Sequence, residues 1–228
     1  MAGKGDRLRP FDRKKWDAGW AILERSEPMD SEIVFQGMPK IARLSRPCII
    51  TEKIDGTNAQ VLVTEGGQVF AGSKKRWITP EKDNFGFAAW VQEHTDELCQ
   101  LGPGRHFGEW WGQGIQRGYG LQEKRFSLFN VSRWQSPRLM IDGSCSLGDL
   151  GIKRRLAPAC CHVVPVLRTL AKLSLEDVGF ALAGLVRNGS CAAPGFMDPE
   201  GIVIYHTQGN VLFKKTLKND DKGKEHGA

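Results

Sequence analysis

An apolar run, Cys48-Ile49-Ile50-Thr51-Glu52, ends in Lys53-Ile54-Asp55-Gly56 and gives way to alternating residues from Ala59 to Thr64. The turn Glu65-Gly66-Gly67 follows, and Gln68 to Ala71 returns. This succession constrains the fold more than any other part of the chain. It reads as a strand that stops at a glycine turn and then a hairpin. His106 to Trp111 and Phe126 to Val131 read as buried strands, and Ile202 to Tyr205 and Val211 to Thr216 flank the turn Gln208-Gly209-Asn210. Strands joined by hairpin-length connections pair antiparallel. The expected fold class is therefore α+β, with mainly antiparallel sheets and flanking helices, and not a doubly wound parallel sheet.

Two helices are expected between the strands. Asp83 or Asn84 can cap the first, whose apolar positions are Phe87, Trp90, Val91, His94 and Leu98. Ser174 caps the second, with Leu175, Val178, Leu182, Leu185 and Val186 on one face and Asn188-Gly189 at its end. Residues 1–30 differ from the rest: they are basic and polar, and Trp16 and Trp20 suit a short amphipathic helix. They are read as an accessory segment of unassigned role, residues 31–218 as one domain, and 219–228 as a polar tail expected to be disordered.

Composition bounds the class. A chain of 228 residues with 40% hydrophobic and 25% charged residues is a soluble globular protein of one ordinary domain. The formal charge of +6 favours a polyanionic partner mildly. Basic residues cluster at Lys74-Lys75-Arg76, at Lys153-Arg154-Arg155 and at Lys214, Lys215 and Lys218, each of which is equally readable as a solvated face. The six cysteines lack a disulfide-framework spacing and no secretory signal leads the chain, so reduced thiols and a cytoplasmic location are expected. Cys160-Cys161-His162 lacks the spacing and the second pair of a structural zinc site. No apolar run reaches the roughly 20 residues of a membrane span.

Lys53 carries the chemistry. A lysine fixed at a strand end before a glycine turn can be held against a phosphate. Attack by its amine on a nucleotide α-phosphate gives a lysyl-nucleotide intermediate and divides one phosphoryl transfer into easier steps. An ammonium has no lone pair, so attack requires loss of a proton, which neighbouring cations such as Lys214 or a bound metal, or desolvation, promote. The alternative is a solvated lysine beside a turn.

Downstream come Phe107-Gly108-Glu109-Trp110-Trp111-Gly112, Phe126-Ser127-Leu128-Phe129-Asn130-Val131, Pro199-Glu200-Gly201-Ile202-Val203-Ile204-Tyr205 and Val211-Leu212-Phe213-Lys214-Lys215. In this order, with Lys53-Ile54-Asp55-Gly56, the set resembles the collinear motifs of the covalent nucleotidyltransferase superfamily, which contains polynucleotide ligases and messenger-RNA capping enzymes. Glu52 to Asn58 is most similar to the nick-sealing phage type of ATP-dependent RNA ligase. The resemblance runs from about Val34 to Lys218 and implies a ligase-type nucleotidyltransferase domain.

The resemblance implies a role for each matching residue. Lys53 is the nucleophile. Glu52 lies by the base and Asn58 by the phosphate or ribose. Glu109 accepts a hydrogen bond from the ribose, where the plain alternative is a salt bridge to Arg105 or Arg117. Phe129 stacks on the base, against the alternative that it and Phe126 are both core. Asn130 stands where the family often has an acid. Glu200 binds a divalent metal near the α-phosphate. Lys214 contacts that phosphate, while Lys215 faces away toward surface or nucleic acid, and Thr216 stands where the family often has a second lysine. Arg76 resembles the arginine that binds a 5′-phosphate or orients the nucleotide, and Lys74 and Lys75 are candidate nucleic-acid contacts beside it.

The expected activity is ATP-dependent joining of 5′-phosphate and 3′-hydroxyl ends of RNA through lysyl-AMP, with Mg2+ as cofactor and Mn2+ as an alternative. Expected partners are RNA or DNA ends or nicks, with no membrane. A domain without a C-terminal barrel is expected, which leaves room for a protein partner. The rival readings are a DNA nick ligase, a capping guanylyltransferase, a nucleic-acid-binding module with the same fold, and a repair component that depends on a partner.

Overall fold

The computed structural model describes residues 37–38, 41–136, 154–218 and 220. The expectations for residues 1–30 lie outside these, as do those for the 219–228 tail apart from residue 220. The strands in chain order are β1 (Cys48–Lys53), β2 (Thr57–Val63), β3 (Val69–Ser73), β4 (Trp77–Ile78), β5 (Gly104–Gly112) and β6 (Lys124–Leu128). They continue as β7 (Trp134–Gln135), β8 (Arg155–Leu156), β9 (Cys161–Val163), β10 (Val166–Leu170), β11 (Gly201–His206) and β12 (Val211–Thr216). The helices are α1 (Phe87–Glu93), α2 (Thr95–Leu98) and α3 (Leu175–Asn188).

Two sheets hold most of the strands. One has the order β10-β1-β11-β12, the other β4-β3-β2-β5-β6-β9. All pairings in them are antiparallel except β6 with β9, and the small β7–β8 pair is parallel too. The α+β reading with mainly antiparallel sheets holds. Neither sheet closes on itself among the described residues.

Strand β1 explains its own composition. It lies between β10 and β11, and both its faces are covered. Ile49 belongs to the main core, while Cys48 and Ile50 pack against α3. A strand buried on both faces reads as an unbroken apolar run rather than an alternation. In contrast β2 alternates, with Ala59, Val61 and Val63 buried and Asn58 exposed. The link Ile54-Asp55-Gly56 carries the chain from one sheet to the other, so Lys53 stands at their junction.

The first helix departs from its expected length. Gly86 holds its N-cap position, and Asp83 serves the first turn from three residues upstream: its Oδ1 accepts from the Ala88 N–H at 2.7 Å and its Oδ2 from the Ala89 N–H at 3.0 Å. The helix then breaks at His94, whose φ of −104° and ψ of 20° leave the helical region, and a short α2 follows. The Thr95 hydroxyl donates to the Val91 and Gln92 carbonyls, a local bond that competes with helix continuation. Helix α3 matches its expected ends, with Ser174 Oγ accepting from the Asp177 N–H at 3.1 Å and Gly189 at the C-cap. Its buried stripe is narrower than expected. Val178, Ala181 and Leu185 are buried, whereas Leu175 and Val186 are exposed.

Phe126 is fully buried, its ring 5.1 Å from Phe87 and 5.8 Å from Trp90. It is a core residue. Cys48, Cys99, Cys160 and Cys161 are free thiols. Cys191 is disulfide-bonded, so the expectation of reduced thiols throughout does not hold at that position. No helix among the described residues is long and apolar enough to cross a membrane.

Candidate active site

Three strands converge on Lys53. In the β1–β11 register Lys53 stands opposite Gly201, and in the β11–β12 register Gly201 stands opposite Thr216. Lys53, Gly201 and Thr216 therefore form one cross-strand row. Gly201 is required there by close approach: a Cβ would lie 2.2 Å from the Lys215 carbonyl oxygen. Its neighbour Glu200 is thereby brought to the lysine, and Lys53 Nζ donates to Glu200 Oε2 at 2.5 Å.

The second sheet supplies Glu109. Strand β5 runs so close to the Lys53 turn that a Cβ on Gly56 would lie 2.5 Å from the Trp110 carbonyl oxygen and 3.0 Å from Glu109 Cγ. Glu109 Oε1 accepts the Gly56 N–H at 3.2 Å. The carboxylate is buried, and desolvation pushes its pKa up to about 7, against the opposing pull of the Lys53 charge and the Gly56 hydrogen bond. The nearby Glu200 and Asp55 charges push in the same direction as burial. The alternative of a Glu109 salt bridge to Arg117 does not hold, because Arg117 pairs with Asp55 and Asp198. Arg105 instead donates to Gln60 and packs over Trp77.

Glu52 is 1% exposed and bonded within the fold. It accepts from Ser190 Oγ at 2.5 Å, from the Cys191 N–H at 2.8 Å and from the Ala192 N–H at 2.9 Å. Desolvation raises its pKa, with those three hydrogen bonds pulling the other way. Successive strand residues point to opposite faces, so Glu52 shares the Ile50 side of β1 and Lys53 the Ile49 side. The carboxylate anchors the loop that follows α3.

The remaining expected residues occupy distinct places. Asn58 is exposed on β2 directly opposite Glu109. Phe129 is half-buried just past β6, its N–H bonded to the Phe107 carbonyl at 3.0 Å. Asn130 caps the turn after it, accepting from Ser132 Oγ and the Arg133 N–H. Lys214 is exposed on edge strand β12 and, by alternation, shares the face of Thr216 and Lys53. Lys215 takes the opposite face and pairs with Asp220 at 2.8 Å. Lys74, Lys75 and Arg76 are exposed in the tight turn between β3 and β4, which the Ser73 hydroxyl fastens to the Arg76 carbonyl and N–H. The structure thus gathers Lys53, Glu109 and Glu200, seats Asn58 beside Glu109 and Lys214 beside the lysine row, and leaves the basic turn at the sheet's outer hairpin.

Several contacts around this centre were not anticipated from the sequence. Tyr119, buried and held at φ 52°, accepts the Asp55 N–H at 2.8 Å and fixes the turn after Lys53. Arg117 joins Asp55 at 3.0 Å to Asp198 at 2.8 Å, and Asp198 also takes Lys218 at 2.7 Å. The only signal of this network was the glycine-rich stretch from Gly112 to Gly120, which marks a tight loop without naming its contacts.

No group of three or more His, Cys, Asp or Glu side chains among the described residues is arranged to hold a metal ion. Glu200 fits a different type of site. Magnesium is commonly held by one or two carboxylates, with water and phosphate oxygens completing its shell.

The sequence profile of the RNA ligase family matches residues 46–218. No curated protein matches the chain. Solved structures of an RNA ligase from Naegleria gruberi do. One, a mutant with ATP and Mn, is 17% identical, with 77% of this chain and 51% of that one covered at a TM-score of 0.48. Another, with PPi, is 20% identical, with 75% and 49% covered at a TM-score of 0.48. The chain spans about half the length of these structures. The family profile covers most of the chain and takes in Lys53, Glu109, Glu200 and Lys214 alike; the chain belongs to the RNA ligase family.

Proposed function

We propose that the chain is an ATP-dependent RNA ligase that works through a lysyl-AMP intermediate on Lys53. The observation that carries this reading is the junction itself. One strand end presents an amine, a buried carboxylate from β5 and another from the residue that leads into β11 stand beside it, and two close-packed glycines hold the arrangement. A structural ion pair needs no such convergence.

In the first step Lys53 Nζ leaves the Glu200 carboxylate, loses a proton and attacks the α-phosphate of ATP. A P–N bond forms, the α–β phosphoanhydride bond breaks and pyrophosphate departs. A 5′-phosphate oxygen of the RNA then attacks the same phosphorus and releases the lysine. Last, a 3′-hydroxyl attacks the 5′-phosphate and AMP leaves. Each displacement depends on positioning and on charge stabilisation. Glu109 and Asn58 face the ribose side of the nucleotide, Phe129 offers its half-buried ring to the base, and Lys214 contacts the α-phosphate. Glu200 is the residue that would hold Mg2+ or Mn2+, whose charge would offset that developing on the phosphate. Glu52 serves this site from behind by fixing the Ser190–Ala192 loop. Arg76 with Lys74 and Lys75 meets the RNA phosphates.

Incubation with α-labelled ATP or GTP and a divalent metal, followed by a denaturing gel, tests the reading. Acid-labile label from ATP on wild type and none on Lys53→Ala is the expected result. Label from GTP alone would make the chain a capping-type enzyme. No label from either nucleotide on folded, unmodified protein would remove the catalytic reading.

A further inference from the structure

One face of the six-stranded sheet continues outward from the Glu109–Asn58 pair. Alternation and register put Gln60 and Leu62 of β2 on that face, opposite Phe107 and Arg105 of β5. On the other side of β2, Leu62 stands opposite Phe70 and Gln60 opposite Gly72, and Gly72 stands opposite Trp77. Trp77 and Phe70 are large aromatic side chains left 48% and 44% exposed, their ring centroids 6.2 Å apart.

These rings are held in place. The Arg105 guanidinium lies 5.2 Å from the centroid of Trp77. Arg105 also donates to Gln60 Oε1 at 3.1 Å, and Gln60 Nε2 donates to the Ser73 carbonyl at 3.2 Å. Gly72 makes the room: a Cβ there would lie 2.7 Å from Gln60 Cγ. A side-chain network thus fixes an aromatic pair and a cation on an open sheet face. The turn beside them carries Lys74, Lys75 and Arg76.

We propose that this face is a platform for an unpaired RNA strand leading to the end that is joined, with bases stacked on Trp77 and Phe70 and phosphates met by Arg105 and the adjoining basic turn. The proposal rests on the RNA ligase reading for the direction of the strand. Charge complementarity favours a polyanion. The exposed rings favour an unpaired strand, because bases within a duplex are already stacked on each other and cannot use an aromatic platform. The platform joins the nucleotide site through the cross-strand neighbours Gln60 and Phe107, so a strand lying on it leads along the sheet to Glu109, which accepts the Gly56 N–H of the turn after Lys53.

The test measures anisotropy of a labelled, 5′-phosphorylated single-stranded oligoribonucleotide on the full chain at fixed salt, alongside covalent labelling by α-labelled ATP. Trp77→Ala and Phe70→Ala should each weaken single-strand affinity by about 5- to 100-fold, as loss of a stacking ring does. Trp77→Phe should retain most of it, ATP labelling should match wild type, and binding of a blunt RNA duplex should change little. Unchanged single-strand affinity in Trp77→Ala and Arg105→Ala would overturn the proposal and leave the face to a protein partner. Equal loss for single strand and duplex would also overturn it. Trp77-dependent binding by a wild type that takes no label from ATP would sustain the platform while removing the catalytic reading.

Discussion

Lys53 Nζ and Glu200 Oε2 are 2.5 Å apart although 147 residues separate them in the chain. The contact exists because β11 lies beside β1 with Gly201 opposite Lys53, which places the residue before Gly201 at the amine. In the proposed mechanism the pair is a resting arrangement, and Glu200 has two tasks: holding the amine before ATP binds, and then holding the divalent metal that would offset the charge of the nucleotide.

Replacing Glu200 by Gln keeps the shape and removes that charge. Covalent labelling by ATP should fall by about 10²-fold or more, the scale for loss of one preorganised electrostatic group. The fold should be retained, since the pair lies at the strand ends. Labelling rates across a magnesium titration, with circular dichroism as the control, check this. Labelling within twofold of wild type would contradict the role.

Glu109 makes stability depend on pH. Its carboxyl titrates near 7 in the folded chain against an ordinary value of 4.5. Between those values the folded state binds more protons than the unfolded state, so this group lowers stability as pH rises from about 4.5 to about 7, and the loss levels off above that. Its size is on the order of 3 kcal/mol at most. Urea melts of wild type and Glu109→Gln from pH 4.5 to 8 should show the wild type losing stability relative to the variant over this window. Parallel curves would refute the burial effect.

Glu52 separates two roles by what its replacement disturbs. Its oxygens receive two backbone N–H groups and one hydroxyl in a buried site. Glu52→Gln keeps an acceptor for the two N–H groups but replaces charge-assisted bonds with neutral ones and requires the Ser190 hydroxyl to turn from donor to acceptor, which should cost about 1–3 kcal/mol. Denaturant unfolding measures that cost. A residue whose main task is to touch the base would instead raise the KM for ATP and leave the unfolding midpoint unmoved.

Gly56→Ala should destabilise the chain by about 1–3 kcal/mol through overpacking. It should also depress ATP labelling, because the new methyl forces β5 and Glu109 away from the Lys53 turn. Full activity with unchanged stability would mean the turn relaxes freely.

Much of this was legible in the sequence because it is local. The alternation of β2, the Ser174 cap and the strand end at Lys53 are set by neighbouring residues, and the structure keeps them. What escaped is long-range. Nothing near Glu52 says that its carboxylate will hold the Ser190–Ala192 loop, and nothing near Arg117 says that it will bridge Asp55 to Asp198. The break at His94 depends on the competing Thr95 hydroxyl, which an apolar periodicity does not record. Leu175 and Val186 fit the helical period, yet the sheet beneath α3 covers the stripe at Val178, Ala181 and Leu185, with Leu182 partly buried beside it, and leaves those two exposed.

Peptide mapping by mass spectrometry after incubation with ATP and magnesium reads out directly whether Lys53 carries the nucleotide. One adenylate is expected, carried by the peptide containing Lys53 and lost when RNA bearing a 5′-phosphate is added. An adenylate on any other residue, or none on fully folded protein, would contradict the lysyl-AMP mechanism.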